Sequence, residues 1–219
     1  MKSLIDKLKI KDIYSETFLK TLFMLKANNA VYNIRTKLKY QIDDKNKDAI
    51  TKMFDSFILN NTDKSIIAEG NVGVGKTIAF QIFQDVLSDL ARAGHEYLKQ
   101  QIFNIALTTE IVSDFQENGA EGIRKYKNNT WLFDDLGKEE TEANHFGTKK
   151  KVISEIIAYR YDLWKAKGIK TFFTSNYSLT HTSKEGKNFF KEKYGAHIYD
   201  RLIEMTSTVT FKGESRRQK

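Results

Sequence analysis

The segment Gly70-Asn71-Val72-Gly73-Val74-Gly75-Lys76-Thr77 is the strongest structural signal in this chain of 219 residues. It matches the pattern G-x-x-x-x-G-K-[ST], follows an apolar run and precedes an amphipathic helical stretch. Glycines let backbone N–H groups approach phosphate oxygens without interference from Cβ atoms, and a helix N-terminus adds its dipole at the same place. The setting favours a phosphate-binding loop over a glycine-rich turn with an incidental lysine. We expect Lys76 to reach the β- and γ-phosphates and Thr77 to bind magnesium.

Short apolar runs alternate with helical patterns from this loop outward. The runs lie at Ser65–Glu69, Ile102–Thr108, Thr130–Leu136, Ile169–Ser175 and Thr206–Phe211, and the helical stretches at roughly 76–98, 110–127, 149–166 and 188–204. This alternation predicts an α/β fold with a five-stranded, mostly parallel sheet covered by helices.

The first 45 residues have a different pattern. Residues 12–39 carry apolar side chains at helical spacing, and a polar break over 43–48 precedes a helix that Asn46 is expected to cap. We therefore predict an N-terminal helical segment at 1–45 and an α/β domain at 46–219. The helix at 12–39 either docks in a groove of a partner or packs on its own core.

Two strands are predicted to end in polar side chains. The run Thr130–Leu136 ends in Asp134 and Asp135, and Lys170–Ser175 is followed by Asn176. Because sites on parallel sheets lie at the carboxyl ends of the strands, we expect Asp134 to hold magnesium and Asp135 to polarise an attacking water. Asn176 either orients that water or contacts the γ-phosphate, or it only opens a turn. A solvated pair of acids is the alternative for the two aspartates.

Arginine is scarce beside lysine, so its positions are informative. Arg201 lies on the helix before the last strand, where an arginine supplied in trans can stabilise charge on a transferring phosphoryl group. Its alternative is an ion pair with Glu204 at i,i+3. Arg216 and Arg217, close to the end of the chain, are either nucleotide-sensing groups or a basic tail.

Together these motifs resemble the AAA+ ATPases of the DnaC/IstB type, which are bacterial replicative-helicase loaders and related transposition helper ATPases. The resemblance spans about 48–217 and rests on the glycine loop, Asp134-Asp135-Leu136-Gly137-Lys138-Glu139-Glu140, Ile156–Arg160, Thr174-Ser175-Asn176, Asp200-Arg201 and the tail Gly213–Arg217. It implies a P-loop AAA+ core without a C-terminal helical lid, with ATP and Mg²⁺ as cofactors. It also implies that Arg201 is an arginine finger acting in trans on self-association, and that Arg217 or Arg216 is the second sensor.

The resemblance predicts an ATP-dependent DNA-replication factor, a helicase loader that hydrolyses ATP and has a replicative helicase and single-stranded DNA as partners. A transposition helper ATPase is the alternative. Many AAA+ proteins carry glutamate where this chain has the shorter Asp135, which predicts slow hydrolysis or a non-hydrolysing adaptor. A small-molecule P-loop kinase would need an arginine-rich lid, and Asp-Asp-Leu-Gly followed by Thr-Ser-Asn argues against it.

Composition limits the remaining choices. There is no cysteine, and the four histidines show no ligand spacing, so a zinc-based helicase-binding module is excluded. We see no signal peptide and no apolar run long enough to span a membrane, and expect a cytoplasmic protein.

The formal charge is +8, and two basic clusters are candidates for DNA contact, or else solvated faces. They are Arg124, Lys125, Tyr126 and Lys127, with Tyr126 stacking on a base, and Lys149–Lys151. The resemblance implies a DNA-binding insertion after the second strand, which favours the first cluster.

Overall fold

The computed structural model describes residues 14–33, 37–59, 62–94 and 96–217. The chain divides into two compact units. The first comprises 1–63, 71–102 and 209–219, and the second comprises 64–70 and 103–208. The division near residue 45 that the sequence suggests stays a prediction.

Among the residues that the structure describes, three helices form the core of the first unit. They are α1 (Glu16–Asn29), α2 (Lys47–Phe57) and α3 (Lys76–Arg92), with a hairpin of β1 (Val31–Asn33) and β2 (Leu38–Lys39) between α1 and α2 and a 3₁₀ helix at Glu96–Gln101. Aromatic rings join them: Phe83 of α3 stacks on Phe23 of α1 at 4.6 Å and on Phe57 of α2 at 5.2 Å. Such ring pairs add to the free energy gained by burying their area.

The N-terminal helix is shorter than the sequence predicts. It ends at Asn29 because Ala30 is extended, and the carbonyl of Ala30 accepts a hydrogen bond of 2.8 Å from the Tyr40 amide across the hairpin. Residues 12, 13 and 34–36 of the predicted helix lie outside the described residues. Asn46 precedes α2 as expected but does not cap it. Its side chain instead accepts from the Asp43 amide and donates to the Gln41 carbonyl.

A five-stranded sheet forms the centre of the second unit. The strands are β3 (Ser65–Glu69), β4 (Asn104–Leu107), β5 (Trp131–Leu136), a separate hairpin of β6 (Ala143–His145) and β7 (Thr148–Lys150), then β8 (Thr171–Ser175) and β9 (Thr206–Thr210). The sheet order is β4-β5-β8-β3-β9, and β4, β5, β8 and β3 pair in parallel. The predicted α/β class and five-stranded sheet are confirmed.

Four helices complete the second unit. They are α4 (Thr108–Gly122), α5 (Val152–Lys167), α6 (Phe189–Tyr194) and α7 (Ala196–Met205), and a 3₁₀ helix follows α4 at Arg124–Lys127. One buried cluster joins residues of β3, β5 and β8, including Ile67, Phe133 and Phe173, to apolar side chains of these helices. Among all described residues, no helix has both the length and the apolarity that crossing a membrane requires.

The predicted helix at 149–166 starts later than expected. It begins at Val152, and the residues before it form the β6–β7 hairpin, in which His145 pairs with Thr148. The two turn residues have positive φ angles, 45° at Phe146 and 84° at Gly147. Two-residue hairpin turns of the I′ class require positive φ at both central positions, so this backbone fits a tight hairpin rather than a helix.

Candidate functional site

The glycine loop has the backbone that phosphate binding requires. After β3 the chain turns through Gly70, Gly73 and Gly75, whose φ angles are 142°, 78° and 98°. Residues other than glycine rarely adopt such positive φ angles. Helix α3 begins directly after Gly75, and Val74 is buried. Peptide groups are thereby presented at a helix N-terminus, where anions bind.

Lys76 is held inside the loop. Its side chain is buried, and its Nζ donates a 2.9 Å hydrogen bond to the carbonyl oxygen of Asn71. Thr77, the next residue of α3, is half-buried. A buried ammonium that faces a glycine-rich backbone suits the phosphates of a nucleotide. Mg²⁺ takes only one or two protein oxygens in such sites and binds phosphate and water with the rest, so a hydroxyl such as that of Thr77 fits it.

The C-terminal tail crosses this loop within the first unit. The Asn71 side chain donates to the Gly213 carbonyl at 2.9 Å, and the Arg216 amide donates to the Gly73 carbonyl at 3.0 Å. A Cβ atom at position 73 would lie 2.2 Å from the Oγ of Ser215, so only glycine allows this approach. The loop and the tail are therefore packed as one structure.

The two tail arginines differ in their surroundings. The Arg216 guanidinium donates to the Gln41 carbonyl at 3.1 Å and to the Asp43 carboxylate at 2.7 Å, whereas Arg217 is exposed. Burial alone would raise the pKa of Asp43, but the hydrogen bond and charge of Arg216 lower it below its ordinary value. Arg216 thus joins the tail to the segment before α2.

The acidic strand end is organised within the second unit. The pairing of β5 with β8 is interrupted between Phe133 and Leu136, so Asp134 and Asp135 lie in a bulge. Asp134 is buried, and Asp135 has a positive φ of 60°. Thr174 of β8 connects them, since its hydroxyl donates to the Asp134 carboxylate and accepts a 2.9 Å hydrogen bond from the Asp135 amide.

The carboxylate of Asp135 has a partner of its own. Lys138 donates to its Oδ2 at 2.6 Å, and the Thr108 hydroxyl donates to the Asp135 backbone carbonyl at 3.0 Å. Both contacts fix the residue in its left-handed conformation. A general base in this position has to share its charge with the lysine.

Glu139 is a structural residue that spacing alone did not single out. It is buried, accepts from the Gly137 amide at 2.9 Å and accepts from the Tyr194 hydroxyl at 2.6 Å. Burial and the Glu139 charge raise the pKa of Tyr194 above its ordinary value. These bonds hold the loop after the acidic strand against α6. The signal in the sequence was only its place in the Asp-Asp-Leu-Gly-Lys-Glu motif.

Asn176 follows β8 at the carboxyl end of the sheet. Strand β5 ends at the same level, because Leu136 and Ser175 are paired in register. Arg201 lies on α7 with its guanidinium 5.2 Å from the ring centre of Tyr161. Glu204, its alternative partner, accepts instead from Tyr161 and Lys165, each at 2.6 Å. The cation–π contact leaves Arg201 half-exposed.

The predicted DNA-binding cluster needs a correction. Tyr126 is buried, with its ring 4.9 Å from that of Trp131 and its hydroxyl 2.5 Å from Asp114, so it is not available to stack on a base. Burial and the hydrogen bond to Asp114 raise the pKa of Tyr126 above its ordinary value. The three basic side chains contact carboxylates: Arg124 with Glu121, Lys125 with Asp114 and Lys127 with Glu155. Their role in DNA contact stays a prediction.

Solved structures of known proteins share this fold. The chain is similar to the DnaC helicase loader (TM-score 0.59, 20% identity, 84% of this chain and 97% of that one) and to DnaI (0.50, 17%, 99% and 94%). It is also similar to AMPPCP-bound DnaA from Aquifex aeolicus (0.53, 14%, 82% of this chain), of which it spans 50%. Neither the family models nor the curated proteins gave a match. The chain thus shares its fold with these proteins, and the α/β core with a five-stranded sheet that the sequence predicts is confirmed.

Proposed function

We propose that this chain is an ATP-dependent DNA-replication factor that loads a replicative helicase, hydrolyses ATP with Mg²⁺ and engages single-stranded DNA. The observation that carries the proposal is the glycine loop with its buried Lys76 at the start of α3. Support comes from the fold, which is that of a helicase loader over 97% of the loader's length. A phosphate-binding loop in such a fold is what a nucleotide-driven loader needs.

The loop residues bind the nucleotide in this proposal. The amides of 70–75 hold phosphate oxygens, Lys76 neutralises the β- and γ-phosphates, and the Thr77 hydroxyl binds Mg²⁺. Asp134 holds the magnesium through water, Asp135 polarises the attacking water and Asn176 orients it. Because Lys138 pairs with the Asp135 carboxylate, basal hydrolysis is slow and rises when that ion pair opens.

The proposed partners use two other parts of the chain. Helix α1 buries Leu19 and Phe23 in its own core but leaves Phe18 47% and Leu25 58% exposed, so it serves both packing and docking on the helicase. Arg201, half-exposed on α7, acts in trans on the nucleotide of a neighbouring copy. Arg216 or Arg217 senses the nucleotide through the tail.

Thr174 provides the test of the acidic strand end. Replacing it with valine keeps its shape but removes the hydroxyl that holds both aspartates, so we expect steady-state ATP hydrolysis to fall about 10-fold or more. Because Asp134 loses its orienting donor, half-maximal activity should also require a higher Mg²⁺ concentration. Thr174→Ser retains the hydroxyl and should recover most of the rate. Unchanged magnesium dependence in Thr174→Val would count against Asp134 as the magnesium ligand.

A further inference from the structure

The β6–β7 hairpin (Ala143–Lys150) presents an exposed aromatic side chain. Phe146 at its tip is 95% exposed, the largest value among the described large apolar side chains that lie on the surface. Around it the chain is polar, with Asn144, Thr148 and Lys149 exposed. Exposing a phenyl ring to water is unfavourable by itself, and a ring at a projecting hairpin tip is accessible to a binding partner.

The base of the hairpin is anchored to α4. The His145 ring donates from Nδ1 to the Gln116 carbonyl at 3.0 Å, and it packs where a Cβ at Gly119 would come within 2.8 Å of its Cδ2. Helix α4 departs from helical geometry at Gly119 (φ 60°, ψ −142°), which makes room for the imidazole. The neighbouring Ala143 is buried. The hairpin is thus fixed at its base, and only its tip projects.

The positive charge near the tip lies on β7 and on the residue that follows it. Lys149 and Lys151 are exposed, whereas Lys150 pairs with Glu155 at 3.1 Å and lies over the Phe115 ring. The exposed acids of this segment, Glu140 and Glu142, precede the hairpin base, with Glu142 adjoining the Ala143–Lys150 pair. One aromatic ring beside exposed ammonium groups suits a nucleic-acid strand, whose bases can stack and whose phosphates are negative. A protein partner would more often be matched by a contiguous apolar patch.

We propose that the β6–β7 hairpin is a binding site for single-stranded nucleic acid, in which Phe146 stacks on a base and Lys149 and Lys151 contact the flanking phosphates. The proposal rests on the proposed function, in which the chain engages single-stranded DNA, and it assigns that contact to a hairpin beyond the acidic strand. The overall charge of +8 favours a polyanionic partner. Stacking does not depend on the identity of the base, so the site recognises single strands without sequence preference.

Fluorescence anisotropy with a labelled single-stranded oligothymidylate tests this site. Phe146→Ala in the full chain should weaken binding about 10-fold, and Phe146→Trp should bind at least as well as the wild type. Lys149→Ala should lower the slope of log K against log salt by about 0.7. Ile203→Ala removes an exposed apolar side chain from α7 and serves as the control, with unchanged affinity.

An oligonucleotide with abasic sites separates stacking from charge. The wild type and Phe146→Ala should bind it equally, because no base is left to stack. Equal binding of both proteins to the normal oligonucleotide overturns the hairpin site, while the proposed function stands if the wild type binds. If Phe146→Ala binds DNA normally but no longer co-elutes with the helicase, the hairpin is a protein contact and the proposal is wrong. Failure of the wild type to bind DNA removes both this site and the DNA engagement of the proposed function.

Discussion

Lys76→Ala is expected to lower steady-state ATP hydrolysis about 100-fold or more and to weaken ATP binding. The substitution removes the ammonium that neutralises charge on the transferring phosphoryl group, and the loss of one such donor typically lowers a rate by about 10²–10³. It also removes the 2.9 Å bond to the Asn71 carbonyl that braces the loop. Hydrolysis is measured by phosphate release at saturating ATP, and binding by fluorescence of a labelled nucleotide.

A control separates this effect from a general loss of charge. Lys52→Ala removes an exposed lysine on α2 and should leave both measurements unchanged. Circular dichroism of Lys76→Ala should show a wild-type spectrum. A folded Lys76→Ala protein that keeps the full rate of hydrolysis would remove the enzymatic role of the glycine loop.

Arg160→Met is expected to lower the free energy of unfolding by about 2–4 kcal/mol, because buried acceptors lose their donor. Arg160 of α5 is fully buried, and its guanidinium donates to the Thr171 hydroxyl at 2.6 Å and the Lys170 carbonyl at 2.8 Å. Longer bonds reach the carbonyls of Asn128 and Tyr126. Burial lowers the pKa of Arg160 to about 10, so it stays charged at neutral pH. The measurement is equilibrium unfolding in urea.

Two further variants test whether the hydrogen bonds cause this loss. Arg160→Lys keeps a charge but not the planar fork of donors, so it should be intermediate. Arg92→Met changes an arginine whose side chain is 77% exposed beside Asp89, and a surface pair of this kind contributes about 1 kcal/mol or less. If Arg160→Met and Arg92→Met lower the free energy of unfolding equally, the buried hydrogen bonds of Arg160 do not stabilise the fold.

The main strands could be predicted because their signal is local. Each is a short apolar run that a polar or glycine-containing segment ends, and the observed Ser65–Glu69 matches its prediction at both ends. The β6–β7 hairpin was missed because it has few apolar residues and its turn, Phe146-Gly147, lacks the usual Asn-Gly signal. Its lysines were instead predicted to begin the helix that the structure starts at Val152.

The contacts of the site depend on strand register, which the sequence does not specify. Asp134 could be placed at a strand end from the apolar run before it, but its bond to Thr174 requires β5 and β8 to be neighbours. Tyr126 between lysines suggested an exposed aromatic. The 3₁₀ turn instead directs its ring toward Trp131 and Phe133, and a turn of this kind leaves no periodicity to predict. Arg160 had no assigned role until its four acceptors were known.

Co-elution with the replicative helicase of the same organism is the most direct test of the loader function. The full chain, including residues 1–45, is mixed with the helicase in ATP and applied to a size-exclusion column. The proposal predicts a stable complex in ATP and a weaker one for Leu25→Asp, which places a charge on the exposed side of α1. Separate elution of the two proteins with ATP, with ADP and without nucleotide would contradict it and favour a transposition helper ATPase.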